Sequence, residues 1–133
     1  MPNLFPQLFA YSDWGPLLLR VALGLVFIAH GYPKLFKNFG QTAGFFDSIG
    51  IRPAKFWVFV VGGVEFFGGI ALVAGFATQL AAALIAANMA VAIGKVKFKQ
   101  GFVSGYEFDL VLLLVAVALL VLGPGAYALD LGF

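Results

Sequence analysis

The sequence predicts an all-α, four-helix transmembrane bundle with an interfacial amphipathic segment between its first and second helices. Three observations carry this reading. Hydrophobic residues make up 62% of the 133 and charged residues only 11%, where soluble domains hold about 45–50% and about 25%, and one core of this size cannot hide so much apolar surface from water. Four apolar stretches approach the roughly 20 residues that a helix needs to cross a bilayer. The basic residues gather in two of the connections between those stretches.

The first span runs from about Trp14 to Tyr32. It has no Lys or Arg before it and no small-residue cleavage site, so it reads as a retained span and not as a signal peptide. Between Pro33 and Lys55, Phe36, Phe39, Phe45, Phe46, Ile49 and Ile51 are interleaved with basic side chains. That pattern predicts a short amphipathic helix among the lipid headgroups, over Gln41–Ile49, ended by Gly50 and Pro53. The second span is Phe56–Phe76 and the third Thr78–Gly94. Only Ala77 separates them, which predicts a tight antiparallel hairpin with Gly75 ending one helix and Thr78 capping the next. The Ala-rich third span reads as the central helix. After it, Lys95, Lys97 and Lys99 alternate with Val96 and Phe98, as suits a segment lying on anionic headgroups. The fourth span, Phe108–Leu122, completes a single transmembrane domain over residues 1–133.

Composition also excludes whole classes of chemistry. Without cysteine the chain has no disulfide, thiolate metal site, iron–sulfur cluster or thiol relay, and its single His cannot make a bis-histidine haem. The carboxylates show no metal-ligand spacing around that His, and the glycines sit inside spans where they serve helix packing, not in a phosphate-binding loop. The net charge of +2 comes from Lys clustered in two loops, which suits a membrane surface and no nucleic acid.

Charged groups inside a span each cost about 2.5–3.5 kcal/mol, so each calls for a partner or a purpose. Glu65 stands near mid-bilayer, and Gly62, Glu65 and Gly69 share a helix face where a neighbouring helix can approach closely. It is either a carboxylate that handles a proton or a ligand, or a neutral acid bridging helices. Asn88 on the third span falls at the same depth, about 15 Å from its outer end. Arg20, a turn below the outer boundary of the first span, either snorkels outward or reaches down to hold Glu65 ionised. His30 and Lys34 share one face at the inner end of that span, and Glu107 opens the fourth span on the same side. They form either a boundary anchor or an inner mouth in which His30 shuttles protons. The expected sites are therefore Arg20, Glu65 and Asn88 at the centre, with Glu65 and His30 as candidate catalytic groups, and His30, Lys34 and Glu107 at the cytoplasmic mouth.

These residues carry a resemblance. Arg20 and the apolar run into His30-Gly31 and Lys34, Glu65 before Gly68-Gly69, Gly75 with Thr78, Tyr106-Glu107, and Gly123-Pro124-Gly125 before Leu129-Asp130 follow one another in the order seen in small four-helix bacterial membrane proteins. In that pattern the chain resembles the DoxX family over nearly its whole length. Family patterns place Ser before the Leu-Asp pair and Arg after the hairpin turn, where this chain has Ala128 and Gln79. The family takes its name from a subunit of a terminal quinol oxidase, and relatives are linked to thiosulfate:quinone oxidoreduction and to oxidative or thiol stress.

The resemblance implies a quinone-side component of a bacterial inner membrane, with quinone as the expected ligand, an oxidoreductase as the expected partner, and a homo-oligomer left open. Two other classes use the same carboxylate or none: a proton-coupled small-molecule transporter, and a non-catalytic assembly or stress-response protein. The loops after the first and third spans hold seven of the eight Lys and Arg, and the two tails hold none, so both termini are expected outside. A cysteine at Lys97 should therefore be protected from an impermeant thiol reagent in intact cells, and a cysteine at Gly132 should react.

Overall fold

A computed structural model describes residues 2–130; Gly132, the outer labelling position, lies outside them. The described chain is largely helical and, among those residues, has no strand. Its α-helices are α1 (Trp14–Tyr32), α2 (Phe39–Ser48), α3 (Ala54–Ala74), α4 (Thr78–Ala92) and α5 (Glu107–Leu122). With the tighter or wider turns that extend some of them, four helices are long and apolar enough to cross a bilayer: Trp14–Lys37, Ala54–Ala74, Thr78–Gln100 and Phe102–Leu122. The all-α four-helix architecture is thus the one the composition demands. A short 3₁₀ helix, Pro6–Tyr11, precedes the bundle.

The main departures follow the first and third spans. The first span is expected to end at about Tyr32, but the chain continues through a π-helical turn, Pro33–Lys37, closed by a 2.6 Å bond from the Asn38 N–H to the Pro33 carbonyl. Proline is tolerated here because it opens the new turn, where it supplies an acceptor carbonyl and no N–H is required of it. Lys34 consequently remains on the helix. The third span likewise runs on through a π-turn, Ile93–Lys97, and a 3₁₀ turn, Phe98–Gln100, so its lysines extend the helix that carries Asn88. Helix α2 begins at Phe39, two residues before the expected Gln41, and Gly50 turns the chain behind it at φ 85°.

Helix α3 packs on α1, α2 and α4, while the Ala-rich α4 packs on α3 and α5. The central helix is therefore α3 and not α4. Its glycines explain this. In lipid no apolar transfer energy draws helices together, so close packing must do so. A Cβ at Gly24 of α1 would lie 2.6 Å from the Gly69 carbonyl, and one at Gly31 would lie 2.5 Å from the Phe66 nitrogen. The backbones of α1 and α3 thus meet at two levels where no larger residue fits. Around this contact Leu23, Phe27, Leu72, Ala82, Ile85, Ala116 and Leu119 form a core drawn from all four spans, each at most 2% exposed.

Substituting Gly31→Leu should force α1 away from α3 and lower stability by about 1–3 kcal/mol. Gly63→Ala, on the same α3 but with nothing within 4 Å of an added Cβ, should be neutral or slightly stabilising. Thermal unfolding in detergent micelles distinguishes the two.

Candidate functional site

Glu65 is the buried acid of the bundle, 1% exposed. Its Oε1 accepts a charge-assisted hydrogen bond from Lys34 Nζ and a second, at 3.4 Å, from Asn88 Nδ2. Lys34 comes from the π-turn after α1, Glu65 from α3 and Asn88 from α4. The glycine contacts make room for this meeting. Gly31 lies one turn before Lys34 and touches the backbone of Phe66. A Cβ at Gly62 would lie 2.9 Å from the side chain of Leu35 and 3.3 Å from Lys34 Cβ, so the missing side chain leaves the slot through which the lysine stem reaches the carboxylate.

This trio borders a cavity of about 550 Å³, within the roughly 300–1,000 Å³ usual for small-molecule sites. Thr42, Phe45 and Phe46 of α2 wall it on one side, Ile49 to Arg52 beyond them, Trp57 and Val61 on α3, and Met89, Val91 and Ala92 on α4. Lys95 and Lys97 line it further along the third span. An ion pair bordering a mostly apolar chamber can donate to a carbonyl or hydroxyl oxygen and exchange a proton with it. Among the described residues no group of His, Asp and Glu is placed to hold a metal ion.

The structure brings Glu65 and Asn88 together, and it moves Lys34 from the expected inner mouth to their side. Arg20 goes elsewhere. Its guanidinium is fully buried at the opposite end of the bundle, donating to the Leu72 carbonyl at 3.2 Å, the Val73 carbonyl at 3.4 Å and the Tyr127 carbonyl. Leu72 stands seven residues beyond Glu65, about 10 Å along the helix, so Arg20 neither snorkels into water nor holds the carboxylate ionised. His30 is exposed, donates from Nδ1 to the Val26 carbonyl at 2.7 Å and lies 6.2 Å from the Phe108 ring. Glu107 accepts from the Ser104 N–H at 3.1 Å and steadies the turn that starts α5. The mouth cluster of His30, Lys34 and Glu107 is therefore dispersed: His30 pairs with one backbone carbonyl, Glu107 with a backbone amide, and Lys34 with Glu65.

The DoxX family model matches residues 15–99, a stretch that contains Lys34, Glu65 and Asn88. The chain belongs to the DoxX family. It is 39% identical over 116 residues to the Bacillus subtilis protein named "Putative oxidoreductase CatD", covering 87% of this chain and 84% of that one. It is 32% identical over 127 residues to a membrane protein of Mycobacterium tuberculosis, covering 86% and 78%. It is 28% identical over 130 residues to the inner membrane protein YqjF of Escherichia coli, covering 90% and 92%. No solved structure matches this DoxX chain.

Beyond the matched stretch lies a residue whose role sequence reasoning missed, Asp130 of the Leu129-Asp130 pair. Thr78, the expected cap of α4, makes no capping bond, and Ala77 holds the cap position at φ 49°. The carboxylate of Asp130 caps instead, accepting from the Ala77 N–H at 2.6 Å and the Thr78 N–H at 2.9 Å. The available signal was the lack of a Ser, Thr, Asp or Asn at position 77, which left the helix start in need of a distant acceptor. Partial burial opposes the charge on Asp130, but the backbone donors of Thr78 and Ala77 and the Arg20 guanidinium outweigh it and hold the carboxyl below its ordinary value.

A depressed carboxylate stabilises the fold above its unfolded pKa, about 3.9, and loses that contribution as pH falls through the lower folded value. Asp130→Ala should accordingly cost about 1 kcal/mol at neutral pH, as loss of a cap does. The gap from the unmodified DoxX protein should close below about pH 4. Thermal melts across pH measure both.

Proposed function

We propose that this DoxX protein is a lipophile-binding membrane subunit of a quinone-linked oxidoreductase in a bacterial inner membrane, with both termini on the outer side. The observation that carries the reading is the Lys34–Glu65 pair, with Asn88, bordering a mostly apolar cavity. A quinone bound there would supply two-electron acceptance, with its electrons drawn from the partner oxidoreductase. The chain's own work is narrower. Lys34 and Asn88 would donate hydrogen bonds to a carbonyl oxygen, the aromatic and aliphatic walls would hold the ring, and the Glu65 carboxylate would take up a proton from water and pass it to that oxygen as the ring is reduced. The names of the relatives in Bacillus subtilis and Escherichia coli agree with an oxidoreductase role and with the inner membrane. The gathering of Lys and Arg in the loops after the first and third spans agrees with outward termini.

Protein purified from native membranes should carry quinone detectable by mass spectrometry. Lys34→Met should lose it and also destabilise by about 3 kcal/mol, because it strands a buried carboxylate. Glu65→Gln keeps shape and hydrogen-bonding capacity, so it should stay folded and still retain quinone but lose redox turnover with its partner. Absence of quinone with substrate-driven proton movement in proteoliposomes would instead indicate a transporter. A stable partner complex with neither activity would indicate an assembly protein, and an active, normally stable Glu65→Ala variant would remove the site altogether.

A further inference from the structure

The cavity is electrostatically unequal along its length. Five charged side chains line it: Lys34, Arg52, Glu65, Lys95 and Lys97. Lys34 is paired with Glu65, and Arg52 with Asp47 at 2.9 Å. Lys95 and Lys97 have no ion-pair partner among the described residues, and Lys97 is half-buried. A cation partly removed from water beside apolar walls is costly unless an anion joins it. Lys97 stands nine residues beyond Asn88 on the same helix, roughly 13 Å along its axis. The cavity therefore offers a neutral polar end, an apolar middle and a cationic end.

We propose that the cavity takes an acidic amphiphile, with its oxyanion head held by Lys95 and Lys97 and its apolar body extending toward the Lys34–Glu65 pair. This rests on reading the cavity as a lipophile site, but not on the lipophile being a quinone. The head can come from an anionic phospholipid of the inner leaflet or from a free long-chain acid. Both present the same chemistry to the two lysines.

Trp57 lines the cavity and is one of only two tryptophans, so a Trp14→Phe background makes it a local reporter. In phosphatidylcholine nanodiscs, 9,10-dibromostearate should quench Trp57 at a concentration at least tenfold lower than its methyl ester does. That advantage should vanish in Lys95→Gln/Lys97→Gln. It should persist in Lys37→Gln/Lys99→Gln, which removes the same charge from residues that do not line the cavity. Brominated phosphatidylglycerol identifies the source: stronger quenching than brominated phosphatidylcholine, abolished by the Lys95 and Lys97 substitutions, assigns the head to a lipid. Equal quenching by the two lipids, with the free acid still favoured, assigns it to a free acid. Equal quenching by acid and ester, or equal losses from both lysine pairs, overturns the proposal. If ester quenching is then still displaced by unbrominated ester, the lipophile site survives without the oxyanion head; if no quenching is displaceable, both readings fall.

Discussion

A carboxylate cannot stay charged inside a bilayer without a partner, and the bundle is arranged so that Glu65 has one. The partner must come from another helix, and a lysine can supply it only if the two backbones lie close enough for its stem to cross. Gly31 and Gly62 create that closeness on either side of the pair, and Gly24 with Gly69 maintains it further along. In a membrane, where apolar burial does little to hold helices together, the same small residues thus provide adhesion and access to the site.

The two polar systems of the bundle are kept apart by the apolar core. On one side of it, Lys34, Glu65 and Asn88 face a cavity. On the other, Arg20 gathers carbonyls of the last turn of α3, and Asp130 gathers the free amides at the start of α4. A cation at a helix C-terminus and an anion at a helix N-terminus both oppose the helix dipoles favourably. Gly75 permits the turn between them: its φ is 75°, and a side chain there would collide with the Arg20 guanidinium and with Ala128. Arg20 and Glu65 sit on helices in direct contact, yet one locks the hairpin turn while the other borders the chamber.

The spans, the hairpin at Ala77 and the prominence of Glu65 were legible because they depend on composition and local spacing. The glycine face of α3 was legible too, as Gly62, Glu65 and Gly69 are all buried. What could not be read was rotation and reach. The position of Lys34 depends on how the helix passes Pro33, and a π-turn alters the angle at which every later side chain leaves the axis. The place of Arg20 depends on Tyr127, a residue 107 positions away, and no periodicity reports a contact of that separation. Asn88 was placed correctly because depth alone, counted from the end of a straight helix, decided it.

The cap of the hairpin turn has a consequence for biosynthesis. Asp130 follows Thr78 by 52 residues, so when α3 and α4 first enter the membrane their shared turn has exposed amides and an incomplete set of acceptors around Arg20. The turn closes only after α5 has been made and the tail has folded back across the bundle. A ribosome that stalls or terminates within α5 releases a protein whose hairpin is inserted but unfastened, and a membrane protease that seizes loose turns could tell that fragment from the finished molecule.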